Sequence, residues 1–313
     1  MPNASDRLVV TGGAGFIGSH LTERLLNRGN SVVVVDNLSN GREEWIPNRA
    51  TFVEGDLTDP RTLEKVLSPE IDRVYHLAAS KVIDAAEPHV QFRENTTVTA
   101  NVLRTMKDAG VTDLVYTSSS TVYGEAPRPT PEDFAPLEPI SVYGASKLAD
   151  EGLCSTYGHS HGFTVKTFRF ANVVGRRLRG AVVPDFIEKL RNNPNRLEIL
   201  GNGRQEKSYL HVSDCIDGLV TAVEDINEVD ADPVQSFNLG TRTTTSVRRI
   251  ADIVAEEMGA DPTYEYTGGD RGWTGDVPKM RLSIEKLSAL GWEPDYESDK
   301  AVRGATREVI EEL

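Results

Sequence analysis

The sequence predicts an α/β protein: a doubly wound parallel sheet of about seven strands, with a smaller, mixed α/β lobe toward the C-terminus. Three observations carry that expectation. Short apolar runs alternate with helix-length segments five times before residue 121. The first run empties into a glycine-rich turn. The residues with chemistry to offer recur at the carboxyl ends of the runs, where open α/β sheets gather their ligands.

Leu8-Val9-Val10 reads as the first strand and feeds Thr11-Gly12-Gly13-Ala14-Gly15-Phe16-Ile17-Gly18. A helix follows with Leu21, Leu25 and Leu26 on one face, ending near Gly29. Strand, glycine turn and helix in that order form a Rossmann-type dinucleotide cradle. The glycines let backbone amides approach a pyrophosphate, and the helix N-terminus adds partial positive charge. Ser31 to Asp36 is a buried strand ending in a carboxylate 18 residues after Gly18. Asp36 at that place accepts from the adenosine ribose hydroxyls and repels a 2′-phosphate, which favours NAD over NADP.

Thr51 to Leu57 reads as a strand that brings Asp56 near the adenine, and Arg73 to Ala79 as one whose small residues leave room for a cofactor. His76 is taken as a structural hydrogen bonder. Pro88 to Ala109 is a long helix containing Asn95 and Asn101, and Leu114 to Ser120 a strand whose end carries hydroxyls. After Tyr123-Gly124 comes a proline-rich loop, then the helix of Tyr143, then strand six, Val165 to Phe170, leading into Asn172-Val173-Val174-Gly175. Beyond that the alternation loosens. Val182 to Phe186 and Arg196 to Leu200 read as pieces of the smaller lobe. The helix Ser213 to Glu224 and the strand Ser236 to Gly240 are expected to return to the first domain. From Thr243 the chain holds two or three helices and a glycine-rich loop, Gly268 to Gly275. The expected division is a cofactor domain over 1–175, rejoined by 211–240, and a substrate domain over 176–210 and 241–313.

Composition narrows the function. The chain has 313 residues, 38% hydrophobic and 26% charged, ample for a large core. No apolar run reaches membrane-spanning length, and the opening residues carry no signal-peptide apolar region, so a cytoplasmic setting is expected. Two cysteines, Cys154 and Cys215, stand far apart and suggest neither a disulfide nor a metal site. A net charge of −14 argues against nucleic-acid and anionic-membrane partners. Ten lysines against twenty-four arginines within an acidic chain fit a salt-adapted protein, and equally an acidic enzyme from a GC-rich genome.

The stretch with the sharpest chemistry is Tyr143-Gly-Ala-Ser-Lys147. A tyrosine and a lysine four apart on a helix share a face. The ammonium is expected to lower the phenol's proton affinity, preparing it for general acid–base work at neutral pH.

With these residues in place, the chain resembles the extended short-chain dehydrogenase/reductases, in their nucleotide-sugar epimerase branch, over essentially its whole length. Residues 11–18, 36–41, 76–79, 118–124, 143–147 and 172–175 occur in family order and spacing. Within the branch they are most similar to UDP-galactose 4-epimerases. The resemblance implies Tyr143, Lys147 and Ser119 as catalytic residues. It implies a cofactor site of Gly12, Gly15, Phe16, Ile17, Gly18, Asp36, Asn37, Asn40, Gly41, Asp56, Leu57, Leu77, Ala78, Ala79, Lys81, Asn95, Ser118 and Phe170, joined by Tyr143 and Lys147. It implies NAD held permanently, transient oxidation of the sugar at C4 to a 4-keto intermediate, and return of hydride to the opposite face. Related dehydratases carry Asp and Glu directly after the catalytic hydroxyl. Here Ser120 and Thr121 stand there, which sets dehydration aside.

Substrate contacts implied in the same way are Lys81, Ser119, Tyr143, Asn172, Val183, Lys207, Tyr209, Arg271 and Asp276. The diphosphate grip departs from the family pattern. Lys207-Ser208-Tyr209 replaces Arg-Asp-Tyr, and Trp273-Thr274-Gly275-Asp276 replaces Arg-x-Gly-Asp. Lys207 and Arg271 are read as the replacement diphosphate ligands, with Arg204 and Arg176 as competitors. Other outcomes of the same keto chemistry stay open: epimerisation of UDP-glucuronate or UDP-N-acetylhexosamines, decarboxylation, or keto-sugar reduction. A homodimer is expected by resemblance, through the helix near Asn95–Met106 and the Tyr143 helix.

Overall fold

The computed structural model describes residues 5–80, 87–224 and 232–313. In the first part of the chain, β1 (Arg7–Thr11), α1 (Phe16–Asn27), β2 (Ser31–Asp36), β3 (Thr51–Glu54), α2 (Arg61–Glu64), β4 (Arg73–His76), α3 (Pro88–Ala109), β5 (Asp113–Ser119), α4 (Val142–His161) and β6 (Thr164–Phe170) follow one another. Then come β7 (Asn172–Val174), α5 (Val182–Asn192), β8 (Arg196–Ile199), β9 (Glu206–Lys207), β10 (Tyr209–His211), α6 (Val212–Glu224) and β11 (Val234–Leu239). The chain ends with β12 (Thr245–Ser246), α7 (Val247–Met258), β13 (Thr263–Tyr266), β14 (Lys279–Met280), α8 (Glu285–Ser288) and α9 (Ser298–Glu312).

The large sheet has seven strands in the order β11-β6-β5-β4-β1-β2-β3. β1 pairs in parallel with β2 on one side and β4 on the other, so the strand order reverses there. Such a switch point leaves a crevice beyond the carboxyl ends. Continuous apolar runs in β1 and β2 bury on both faces, as strands covered by helices must. Val9, Val35, Val74, Leu114 and Tyr116 pack with Val102, Leu103 and Met106 of α3 and with Cys154 of α4. α3 begins at Pro88, whose missing N–H costs nothing at a first turn. It stops at Gly110, which takes the left-handed conformation with φ 76°.

The chain divides into two compact units: residues 1–118, 142–168 and 223–236 form one, and 119–141, 169–222 and 237–313 the other. This division differs from the expected one. β11 does rejoin the large sheet, but most of α6 groups with the second unit, as does the proline-rich loop. The reason for the loop is local pairing: Thr130 bridges Leu282, donates its N–H to the Arg281 carbonyl at 3.0 Å and accepts from Ser283 N at 2.8 Å. In the second unit, β7 pairs β10, β9 sits between β12 and β14, and β8 pairs β13.

Candidate active site

In the first unit the glycine turn joins β1 to α1. Gly12 has φ 71°, and a Cβ there would come within 2.7 Å of the Ala78 nitrogen. A Cβ on Gly18 would drive into the Gly12 carbonyl oxygen and within 2.8 Å of the Gly13 Cα. α1 is capped by Gly15 without any side-chain hydrogen bond, which leaves first-turn amides for an anionic ligand. The segment after β2 wraps this turn: Arg42 N donates to the Ala14 carbonyl at 3.0 Å, and Gly41 is needed because a Cβ would meet Ala14. Asp36 accepts from Leu38 N at 2.8 Å and from Ala14 N at 3.0 Å, one bond to each oxygen. A carboxylate has about four acceptor positions, so both oxygens retain capacity for a pair of ribose hydroxyls. Asn37 accepts from Ser39 N at 3.1 Å, and Asn40 is exposed.

Asp36→Asn removes one of these acceptors and is expected to weaken NAD binding by about 10- to 100-fold. Calorimetric titration of cofactor into stripped protein checks this.

β4 runs into Leu77, Ala78 and Ala79, all half-buried. His76 bonds the Thr11 hydroxyl through Nδ1 at 2.7 Å and the Thr99 hydroxyl through Nε2 at 3.2 Å. Burial, then the nearby Lys147 ammonium, hold its pKa down to about 3, so it is a neutral structural hydrogen bonder. Asn95 spends its amide inside the protein: its oxygen accepts from Ser80 N at 2.7 Å, and its nitrogen donates to Ser80 O and Ser146 Oγ, each at 3.1 Å. It shapes the loop after β4. Asp56 is exposed and caps the following turn through Thr58, because β3 ends at Glu54 rather than at Leu57. Leu57 is buried in the core. Lys81 falls outside the described residues. Ser118 Oγ at the end of β5 is buried and has no hydrogen-bond partner among the described residues. The bare glycine cradle, the spare capacity on Asp36 and this orphaned hydroxyl fit a dinucleotide.

Tyr143 and Lys147 stand one turn apart near the start of α4. The Lys147 ammonium donates to the Thr117 carbonyl at 2.8 Å and sits 6.0 Å from the centre of the Tyr143 ring. The expected lowering of the phenol is not found in the protein alone: burial, then the Asp150 carboxylate, push Tyr143 above its ordinary value. The lysine is itself pulled down by burial, and its charge is directed at a carbonyl.

In the second unit, Ser119 Oγ accepts from Thr121 N at 3.2 Å and Thr121 Oγ1 at 3.0 Å. Asn172 stands opposite Tyr209 in the β7–β10 register. Phe170 is largely buried. Val183, in the first turn of α5, is fully buried, so its side chain offers a ligand no surface. The basic residues are engaged. Lys207 is ion-paired with Asp276, whose other oxygen accepts from Gly272 N at 3.0 Å. Arg271 pairs with Glu125 and donates to the Asp276 carbonyl. Side-chain exposure is 18% for Lys207 and 4% for Asp276. Removing the lysine as Lys207→Met strands a buried carboxylate, while water reaching the lysine side softens the loss. The expected cost is about 1–3 kcal/mol, measured by urea unfolding.

Sequence reasoning missed a buried network in the same unit. Arg169 donates to the Tyr123 hydroxyl at 2.8 Å, and that hydroxyl donates to Asn238 at 2.9 Å. An arginine inside an apolar strand was the only signal. Among the described residues no helix is long and apolar enough to cross a membrane, and no group of three or more His, Cys, Asp or Glu is placed to hold a metal.

Residues 8–240 match the model of the NAD dependent epimerase/dehydratase family. A solved UDP-galactose 4-epimerase is 43% identical and superposes with a TM-score of 0.90, covering 98% of this chain and 99% of its own. The UDP-glucose 4-epimerase of Thermus thermophilus, solved with NAD, is 31% identical with a TM-score of 0.88, over 98% of this chain and 100% of its own. A putative UDP-glucose 4-epimerase of Methanocaldococcus jannaschii is 31% identical over 95% of this chain and 96% of its own.

Proposed function

This chain belongs to the NAD dependent epimerase/dehydratase family, and from that premise we infer that it is an NAD-dependent UDP-glucose/UDP-galactose 4-epimerase. The observation that carries the reading is the cradle and dyad on one framework: a glycine turn that tolerates no side chain, an acceptor carboxylate at Asp36, and Tyr143 with Lys147 on the helix packed beside α3. Gly12 to Gly18 and Asp36 would hold NAD, with Ser118 and residues 77–79 lining the same site. Bound there, NAD would supply the reversible hydride acceptor and a positive ring, whose charge would offset the burial that raises the Tyr143 phenol in the protein alone.

Tyr143 takes the proton of the sugar 4-hydroxyl and later returns it. Lys147 holds the Thr117 carbonyl and keeps a positive charge beside the phenol. Ser119 hydrogen-bonds the sugar oxygen. The keto sugar turns over while its nucleotide end stays held by Asn172, Tyr209, Lys207, Arg271 and Asp276. Because Lys207 and Arg271 already carry carboxylate partners, the diphosphate exchanges with Asp276 and Glu125 rather than meeting bare cations. Ser120 and Thr121 lack the acid and base that removal of water needs, which sets dehydration aside. A cytoplasmic homodimer joined through α3 and α4 belongs to the same proposal.

The test is to incubate the protein as purified with UDP-hexoses, UDP-N-acetylhexosamines and UDP-uronates, then separate and weigh the products. Interconversion of UDP-glucose and UDP-galactose without added cofactor supports the reading. A product of changed mass assigns decarboxylation or reduction instead, and exclusive turnover of an N-acetylated or uronate sugar moves the substrate.

A further inference from the structure

A buried acid stands directly behind the proposed catalytic pair. Tyr143, Lys147, Asp150 and Cys154 recur on one stripe of α4, and Lys147 and Asp150 are only 2% and 1% exposed. Tyr116, from the middle of β5, ties them together. Its hydroxyl donates to Asp150 Oδ2 at 2.9 Å, and its ring centre lies 4.8 Å from the Lys147 ammonium. The second oxygen, Asp150 Oδ1, is buried with no hydrogen bond among the described residues. A buried carboxylate so incompletely paired is costly, and an apolar side chain would fill the same space without that penalty.

We propose that Asp150 is a positioning residue for the Tyr143–Lys147 pair: it anchors the Tyr116 hydroxyl, whose ring stands against the Lys147 ammonium, and so fixes a negative charge behind the pair. The groups around it are few. α4 itself contributes Lys147, Glu151 and Cys154; β5 contributes Tyr116; α3 contributes the Thr99 hydroxyl. His76 of β4 is neutral and adds no charge. The electrostatics agree in sign. Burial pushes Asp150 up to about 6, against the pull of Lys147, Tyr116 and Thr99. Burial lowers Lys147, and Asp150, Cys154 and Glu151 push it back. Tyr143 is raised by burial and then by Asp150. Proton uptake by Asp150 on acidification therefore weakens both effects together.

The inference deepens the epimerase reading and rests on it for the roles of Tyr143 and Lys147, so its test uses one readout that needs no turnover. The phenol is titrated by phenolate absorbance as the difference between each protein and its Tyr143→Phe form, and the pH profiles of kcat and KM are measured alongside. In Asp150→Asn, which keeps an acceptor for Tyr116, the Tyr143 midpoint and the acid limb of kcat are expected to move down by about one pH unit, with KM for the sugar nucleotide unchanged. Tyr116→Phe leaves the carboxylate unbonded and easier to protonate near neutrality, so it moves the acid limb of kcat the same way by less. A loss of kcat with an unmoved midpoint assigns Asp150 a merely structural part and overturns the proposal. Should Asp150→Asn not fold, an unmoved acid limb of kcat in Tyr116→Phe overturns it equally. A shifted midpoint in a protein that turns over no UDP-sugar upholds Asp150 as the charge-setting residue and sinks the epimerase reading alone.

Discussion

Tyr143→Phe is expected to slow interconversion of UDP-glucose and UDP-galactose by about 10²- to 10⁴-fold, the range that positioned general acid–base groups supply. The substitution keeps the ring that the start of α4 presents and deletes only the hydroxyl. The glycine turn and Asp36 are untouched, so the purified variant should still carry NAD, visible in its absorbance after denaturation. KM should change little, because the loss falls on a proton transfer made in the transition state. The wild-type rate also has a definite pH sense. Burial and Asp150 raise the phenol, so the ionised form that acts as base grows as pH rises, and kcat should climb with pH through the neutral range. A variant that turns over at the wild-type rate would remove Tyr143 from the mechanism.

Gly18→Ala is expected to yield protein that emerges without cofactor and is less stable by about 2–4 kcal/mol. The added methyl meets backbone on both sides, the Gly12 carbonyl and the Gly13 Cα. Neither can swing away as a flexible side chain would, so β1 and α1 must part or the turn must open. Either movement withdraws the first-turn amides proposed to hold the pyrophosphate. Gly152→Ala is the control. That glycine is exposed on α4 with nothing within 4 Å of the added carbon, and alanine there should gain roughly 0.5–1 kcal/mol. Urea unfolding of both variants, with bound NAD quantified, separates clash from composition. Equal behaviour of the two would show that the turn is looser than its contacts indicate.

The elements legible in the sequence were those whose signals are local. β2 runs from Ser31 to Asp36 and α3 from Pro88 to Ala109, as expected, because an unbroken valine run, a proline start and a glycine stop each act within a few residues. The short strands of the second unit were not legible. Asn172 pairs with Tyr209 and Glu206 with Ser246, and no two- or three-residue run announces a partner so far along the chain. Val182 to Phe186 was readable as part of the lobe, but not as the first half of α5, since its two valines and proline favour extended chain. At the site, residue identity pointed to the glycine turn and to the Tyr143–Lys147 spacing but not to their electrostatics. Spacing put Lys147 one turn from Tyr143. It could not say that Lys147 would be buried and Tyr143 half-buried, nor that Asp150 turns inward while Glu151 beside it stays partly exposed. In the same way Lys207 read as a free cation because Asp276, its partner, comes 69 residues later.

The interleaving of the two units has a consequence for how the protein is made. The first unit draws its last residues from 223–236, and Val165 N donates to the Pro233 carbonyl at 2.8 Å. A nascent chain that has emerged only as far as β6 therefore holds a sheet with one margin bare, its amides unsatisfied and open to a neighbouring strand. Cotranslational folding cannot finish that half first and leave it safely closed. Ribosome-stalled chains ending just before Pro233 should be protease-sensitive and chaperone-bound, and both properties should recede once β11 has cleared the exit tunnel.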